Sequence, residues 1–421
     1  MQIFKFGGAS VENAEGIRNL CKIVESFGKD SLVIVVSAMG KTTNKLEELV
    51  KLAHTESDYE EPLQGLKAYH RKIISELLEE VPEHYPKLET KLENILGNLS
   101  QYDLMFAYDM VVPFGELMST TIINACLNEK RNFCHWLDAR SVIRTDQYFS
   151  EANVDWVVTE QQIWERLRPL TKEKIVITQG FIGSDVEGNS TTLGREGSDY
   201  TGAILAYCLN ADGFTVWKDV PGILNADPRI LEKTVQYAKL SYREATEIAY
   251  YGAQVIHPKT LKPIARKNIP LTVRSFLNRD LDGTVISSES TKKDIPCFIF
   301  KGNQLLVTAQ VKDHSFMDEK KLGLILQVLD LLNIKINLMQ NSALTFSFCI
   351  DNKKFKVKRI KELLSRDFIL SFECSLNLAT IKNYTPESFE KLPLNRSVIM
   401  EQKTVNNYQV LYQSDDLAEK G

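Results

Sequence analysis

The chain has no stretch of about 18 consecutive apolar residues, the sequence mark of a membrane-spanning helix. It has no basic excess: 51 Lys and Arg stand against 55 Asp and Glu, so it lacks the electrostatic footprint of a nucleic-acid binder. Histidine is scarce at 6 residues and forms no HExxH pair, which argues against a metal-centred enzyme. The 7 cysteines (Cys21, Cys126, Cys134, Cys208, Cys297, Cys349, Cys374) are odd in number and contain no CxxC. They predict neither a zinc site nor a disulfide frame, but free thiols in a reducing cytoplasm. The N-terminus lacks the basic region, long apolar core and cleavage site of a secretory leader. The "GKTT" at 40–43 is not a P-loop, because that pattern needs a glycine five residues before Gly40 and position 35 is Val.

What is present is ordinary globular composition, 43% hydrophobic and 25% charged, in a 421-residue chain long enough for two or three domains. "QIFKFGG" and "SLVIVVSAMG" are short apolar runs ending in small residues. Between them Ile17, Leu20, Cys21 and Val24 recur at helical spacing. This βαβ unit predicts an open α/β sheet, mostly parallel. From about 57 to 130 the pattern is helical, with Ile73, Leu77, Leu88, Leu92 and Ile95 at helical intervals, and Pro82 and Pro86 expected to break the run. Strands return at "KIVITQGFIG" and "GFTVWKDV".

A polar, turn-rich boundary falls near 278–300. Beyond it "QLLVTAQV", "DEKKLGLILQVLDLLN", "IKINLMQ", "ALTFSFCI", "FKVKRIKELLS" and "FILSFEC" read as βαββαβ, a ferredoxin-like α+β module. Its first helix should start at an Asp318 cap and bury Leu322, Ile325, Leu326 and Leu329 on one face. "LNLATIKN", "PESFEKL", "SVIMEQK" and "NNYQVLYQ" make a shortened βαββ echo, and 414–421 reads as a frayed tail.

The first strand runs through Lys5 straight into Gly7 and Gly8. At the carboxyl end of a parallel strand, glycines let backbone N–H groups approach an anion, and a lysine adds a full charge. KFGG alone fits both a phosphoryl cradle and a plain strand-to-helix turn. "SAMGKTTN" offers hydroxyls at the same edge. In "TTLGREGSDYT", Ser198 or Asp199 could cap the helix that follows. Capping leaves Arg195 unexplained; a guanidinium there can grip a carboxylate in bidentate fashion. Glu116 in "PFGELMST" is either a solvated helix-start residue or the partner of an ammonium. Arg195 and Glu116 together suit an amino acid zwitterion. Lys218 and Arg229 in "WKDVPGILNADPRI" could hold nucleotide phosphates.

In this order "KFGGAS", "VVSAMGKTTN", "FGELMS", "LDARSVIRTD", "GFIG", "TTLGREGSDYT", "DVPGILNADPR", "YYGAQVIHPKTLKP" and "GTVI" resemble the aspartate kinase family of the amino acid kinase superfamily. The resemblance implies a catalytic domain over 1–290 with a helical insertion at about 57–130. A first ACT module over 300–376 and a shortened second one over 377–413 would follow, in a monofunctional chain. It implies Lys5, Gly7, Gly8 and Asp199 as catalytic residues, with Asp199 orienting Lys5. Ser37, Thr43, Glu116, Phe181, Arg195 and Ser198 would line an aspartate pocket. Lys218, Asp219, Leu224, Arg229 and Gln254 would contact ATP, carrying Mg²⁺ held mainly by its phosphates. Met339, Gln340, Asn341 and Ser342 are the effector candidates, and the ACT modules imply a homo-oligomer. The expected reaction is phosphorylation of the β-carboxylate of L-aspartate. The alternatives are a sister kinase for another acidic substrate, or a weakened kinase acting as an amino acid sensor. Departures are Ala9 where many relatives have threonine, Leu224 where tyrosine is frequent, and Gln254 where many have a nucleotide-binding lysine, which Lys259 could replace. Glu196, where glycine is frequent, is expected to face away.

Overall fold

The computed structural model describes residues 1–27, 31–129, 133–253, 256–289, 295–313, 315–392 and 397–413. The chain forms two compact units. The first takes Met1–Ile223, Gln236–Thr246 and Val255–Thr291, and the second takes Leu224–Val235, Glu247–Gln254 and Lys292–Gly421.

The first unit is built on an eight-stranded sheet. Its strands are β1 (Gln2–Phe6), β2 (Leu32–Val36), β3 (Cys134–Leu137), β4 (Ile175–Gln179), β7 (Gly213–Lys218), β8 (Lys239–Ser241), β9 (Leu271–Ser275) and β10 (Thr284–Ser287), in spatial order β3-β4-β2-β1-β7-β9-β10-β8. A separate hairpin pairs β5 (Ile182–Ser184) with β6 (Ser190–Thr192). From β3 to β9 every pairing is parallel; β10 runs antiparallel to β9. All five residues of β2 are buried, as expected of a strand covered on both faces, which is why it reads LVIVV without alternation. β1 lies between β2 and β7, so the chain leaves it toward one side first and returns later on the other. That reversal opens a crevice above the carboxyl ends of the strands.

Helices cover the sheet. α1 (Ala14–Phe27) buries Ile17, Leu20, Ile23 and Val24, and α2 (Thr42–His54) follows β2. The insertion holds α3 (Glu60–Leu77), α4 (His84–Leu96), α5 (Leu104–Val111) and α6 (Phe114–Asn128), and the short α7 (Trp156–Gln162) comes between β3 and β4. Pro82 lies in the break between α3 and α4, but Pro86 does not break a helix. It sits in the first turn of α4, where the missing N–H would have no intrahelical partner. Asp103 caps α5 by accepting from Met105 N–H, a contact of about 1 kcal/mol. The segment Leu104–Asn128 has the length and apolarity of a membrane span, with 72% of that window buried inside the protein. Leu117, Met118, Ile122 and Ile123 supply the core with this apolar surface. Cys21 on α1 and Cys126 on α6, far apart in sequence, bring their Sγ atoms to 3.5 Å.

The second unit holds a six-stranded antiparallel sheet in the order β12-β13-β11-β14-β16-β15. Its strands are β11 (Cys297–Val311), β12 (Leu338–Asn341), β13 (Thr345–Asp351), β14 (Phe368–Lys382), β15 (Val398–Lys403) and β16 (Asn407–Gln413). "FILSFEC" and "LNLATIKN", expected as two strands, form the single strand β14. β11 likewise starts at Cys297, ahead of the expected "QLLVTAQV". The ladder between them shifts register at Lys301–Leu306, where Asn303 and Ser375 take left-handed φ of 52° and 59°. A bulge there lets two long strands serve both halves of one sheet. Helix Glu319–Leu331 starts at the expected Asp318 cap and buries Ile325 and Leu329, whereas Leu326 is exposed. "PESFEKL" is a short 3₁₀ turn, Pro386–Lys391. The 414–421 tail lies outside the described residues.

Candidate functional site

The crevice predicted by the strand order is occupied by a cleft of about 610 Å³ in the first unit. Strand ends supply its floor: Lys5 comes from β1, Ser37 from the turn after β2, Phe181 from the turn after β4 and Lys218 from the end of β7.

Lys5 is buried at 8% exposure, and its Nζ stands 2.6 Å from the Asp199 carboxylate. Lys218 approaches the other oxygen of Asp199 at 3.7 Å. Burial alone would raise the Asp199 pKa; the two ammonium groups outweigh it and hold the carboxyl below its usual range. Asp199 lies in the first turn of α8 (Gly197–Leu209). Neither it nor Ser198 caps that helix: the cap position is Glu196, whose side chain makes no capping bond. Gly8 closes the floor. A Cβ there would sit 2.7 Å from the Ala38 carbonyl oxygen, so only glycine lets the two loops meet, and Gly40 N–H donates to the Gly8 carbonyl at 3.0 Å.

Glu116 stands in the first turn of α6, which is docked on the β2 loop through Ser119 Oγ, donating to the Ser37 carbonyl at 2.8 Å. Ala38 N–H donates to Glu116 Oε1 at 3.2 Å, while Oε2 has no hydrogen-bond partner among the described residues. Burial pushes the Glu116 carboxyl up to about 8, against the pull of the Ala38 N–H and Lys5. Arg195 is exposed at the rim and makes no ion pair among the described residues.

The cleft thus brings together Lys5, Gly8, Ser37, Thr43, Glu116, Phe181, Arg195, Ser198, Asp199 and Lys218 from the sequence expectation. Gly7 is not in its lining, although a Cβ there would stand 3.7 Å from Lys5 Nζ. Asp219 is exposed in the turn after β7. Leu224 and Arg229 belong to the second unit, where Arg229 is paired at 2.7 Å with its own neighbour Asp227. Gln254 lies outside the described residues. Lys259 Nζ donates to the Leu193 carbonyl at 3.1 Å and lies over the Tyr200 ring, so its charge is already committed inside the fold. Glu196 does not face away: it lines the cleft from a left-handed backbone, φ 54°. Met339, Gln340, Asn341 and Ser342 are exposed along and just beyond the edge strand β12 of the second unit. Tyr108, Ser150 and Glu151 also line the cleft and carry no sequence motif; only the packing of the insertion against the β5–β6 hairpin region delivers them.

A family description, amino acid kinase family, matches residues 1–275. The bifunctional aspartokinase/homoserine dehydrogenase of Daucus carota chloroplasts is 33% identical over 68% of this chain, which spans only 32% of that relative's length. Lysine-sensitive aspartokinase 3 of Escherichia coli is 32% identical over 83% of this chain and 78% of its own. The crystal structure of E. coli aspartokinase III with aspartate and ADP, in its R-state, matches with a TM-score of 0.85 at 27% identity, covering 99% of this chain and 97% of that one. The T-state structure with lysine and aspartate matches at 0.79 and 29% identity, covering 98% and 95%.

Proposed function

Since the chain belongs to the amino acid kinase family, and within it to the aspartokinases, we propose that it transfers the γ-phosphoryl group of ATP to the β-carboxylate of L-aspartate. The products are 4-phospho-L-aspartate and ADP, the first step towards lysine, threonine and methionine. The observation that carries this reading is the Lys5–Asp199 pair at the strand ends, in one cleft with Glu116 and Arg195.

The chemistry needs no catalytic base. A β-carboxylate has a pKa near 4 and arrives ionised at neutral pH. The difficulty is bringing two anions together, so positioning and charge neutralisation do the catalysis. Lys5, held by Asp199, neutralises the group in transfer; Gly7 and Gly8 let backbone N–H groups approach it. Lys218 adds a second positive charge, and with Asp219 it supplies the nucleotide contacts proposed for the first unit. Arg195 grips the α-carboxylate, and the free oxygen of Glu116 takes the α-ammonium. Ser37, Thr43, Phe181 and Ser198 complete the walls. No group of three His, Cys, Asp or Glu able to hold a metal occurs among the described residues, and Asp199 is engaged by two lysines. A Mg²⁺ ion in this reading comes with the triphosphate and offsets its charge.

The same reading includes a cytoplasmic homo-oligomer and an end-product amino acid acting at the second unit near Met339, Gln340, Asn341 and Ser342. The lysine-bound form of the E. coli relative supports that last element.

A hydroxamate assay for acyl phosphate tests the reaction. Product should form with L-aspartate and MgATP and not with L-glutamate. Product from L-glutamate alone, or from neither, overturns the assignment.

A further inference from the structure

One carboxylate next to the cleft has no part in the mechanism above. Asp109, on α5 of the insertion, is fully buried and pairs with no cation among the described residues. It accepts three hydrogen bonds: from Ser150 N–H at 3.0 Å, Thr192 N–H at 2.9 Å and Thr192 Oγ at 2.6 Å. Those donors come from two segments remote from it in sequence, and both go directly into the cleft wall. Ser150 and Glu151 line it from one segment, Gly194 and Arg195 from the other.

The two segments are also coupled to each other. Ala152 N–H donates to the Thr192 carbonyl at 2.9 Å, and a Cβ on Gly194 would meet Glu151 Cγ at 3.1 Å. Ser150 takes φ of 70°, a left-handed backbone that a non-glycine residue keeps only where its surroundings impose it. The Asp109 carboxylate bonds the N–H of that very residue. Burying a carboxylate without a cation is costly, and burial drives its pKa up to about 6. A fold that needed only packing there could be served by an apolar side chain; what the carboxylate adds is the registration of two loops.

We propose that Asp109 is a positioning residue for the substrate pocket: it staples the Ser150–Glu151 turn to the Thr192–Arg195 segment and so sets where the Arg195 guanidinium stands. This rests on the reading of Arg195 as the grip on the α-carboxylate. Asp109 itself touches no substrate.

The test compares Asp109→Ala and Asp109→Asn in the full chain. The amide oxygen of Asn still accepts the two N–H bonds, and its NH₂ can donate to the Thr192 hydroxyl. Asp109→Ala should raise KM for L-aspartate about tenfold or more, with kcat and the KM for ATP changed less than about threefold. Asp109→Asn should restore the aspartate KM to within about threefold. A wild-type aspartate KM in Asp109→Ala overturns the proposal. So does a loss spread equally over kcat and both KM values, which is what general destabilisation gives. If Asp109→Ala does not fold, Thr192→Val removes one of the three bonds and should raise the aspartate KM alone; no change there overturns the proposal. Amide hydrogen exchange reads the same order without substrate: residues 150–152 and 193–195 should exchange faster in Asp109→Ala, or in Thr192→Val if only that variant folds, and unchanged exchange counts against the staple. If the wild-type chain makes no acyl phosphate from aspartate, the proposed reaction fails, and exchange still decides the role of Asp109.

Discussion

Lys5 and Asp199 lie 194 positions apart in the chain and 2.6 Å apart in space, one on the central strand of the sheet and the other in the first turn of α8. Neither is exposed enough for solvent to screen the pair. Its geometry holds an ammonium on the floor of the strand-end cleft, where the proposed reaction places the group in transfer.

Removing that ammonium should therefore act on turnover. Lys5→Ala is expected to lower kcat about a hundred- to a thousandfold, the scale of losing one preorganised donor to a transition-state charge. Asp199→Asn leaves Lys5 charged but unanchored and should lower kcat by a smaller factor. Steady-state kinetics at saturating L-aspartate and MgATP measures both. Normal turnover in Lys5→Ala would remove the phosphoryl cradle from the mechanism.

Glu116 should impose a pH dependence. Burial lifts its carboxyl to about 8, from an ordinary value of 4.5. Across that window the folded protein keeps a proton that the unfolded chain releases, so the stability contributed by this group falls as pH rises from about 4.5 to about 8. An ammonium at the free oxygen favours the ionised form. The KM for L-aspartate should accordingly fall as pH rises from about 6, by up to tenfold per unit, and level off above about 8. Glu116→Gln should give a high, pH-independent KM. A flat profile in the wild-type chain contradicts the assignment of Glu116 to the ammonium.

Lys259 gives a contrast between the two substrates. Its Nζ is tied to the Leu193 carbonyl and the Tyr200 ring, beside the Thr192–Arg195 segment. Lys259→Met should disturb that segment and raise the aspartate KM, leaving the ATP KM within about twofold. A selective rise in the ATP KM would instead return Lys259 to the nucleotide role that its position in the sequence suggested.

Much of the site was legible because its residues flank strand ends. Apolar runs such as LVIVV announce buried parallel strands, and small residues directly after them mark where a ligand can approach backbone. Lys5, Gly8, Ser37, Phe181 and Lys218 all follow that rule. Where local pattern misled, a competing fact explains it. Pro86 looked like a helix breaker but occupies the first turn of α4, where proline is tolerated. "FILSFEC" and "LNLATIKN", expected as two strands, are one continuous strand with a register shift and a left-handed residue at Ser375, a bend that only the pairing with β11 reveals.

The sequence by itself determined the sheet, its helices and the charged residues proposed for the site, since periodicity, strand-end glycines and side-chain chemistry are local properties. Tertiary structure alone decided that Asp109 reaches across 41 and 83 positions to Ser150 and Thr192, that Glu196 turns into the cleft, and that Glu116 loses its solvent. Hydrogen-bond geometry and desolvation depend on what the rest of the chain places around a group, and no window of sequence carries that information.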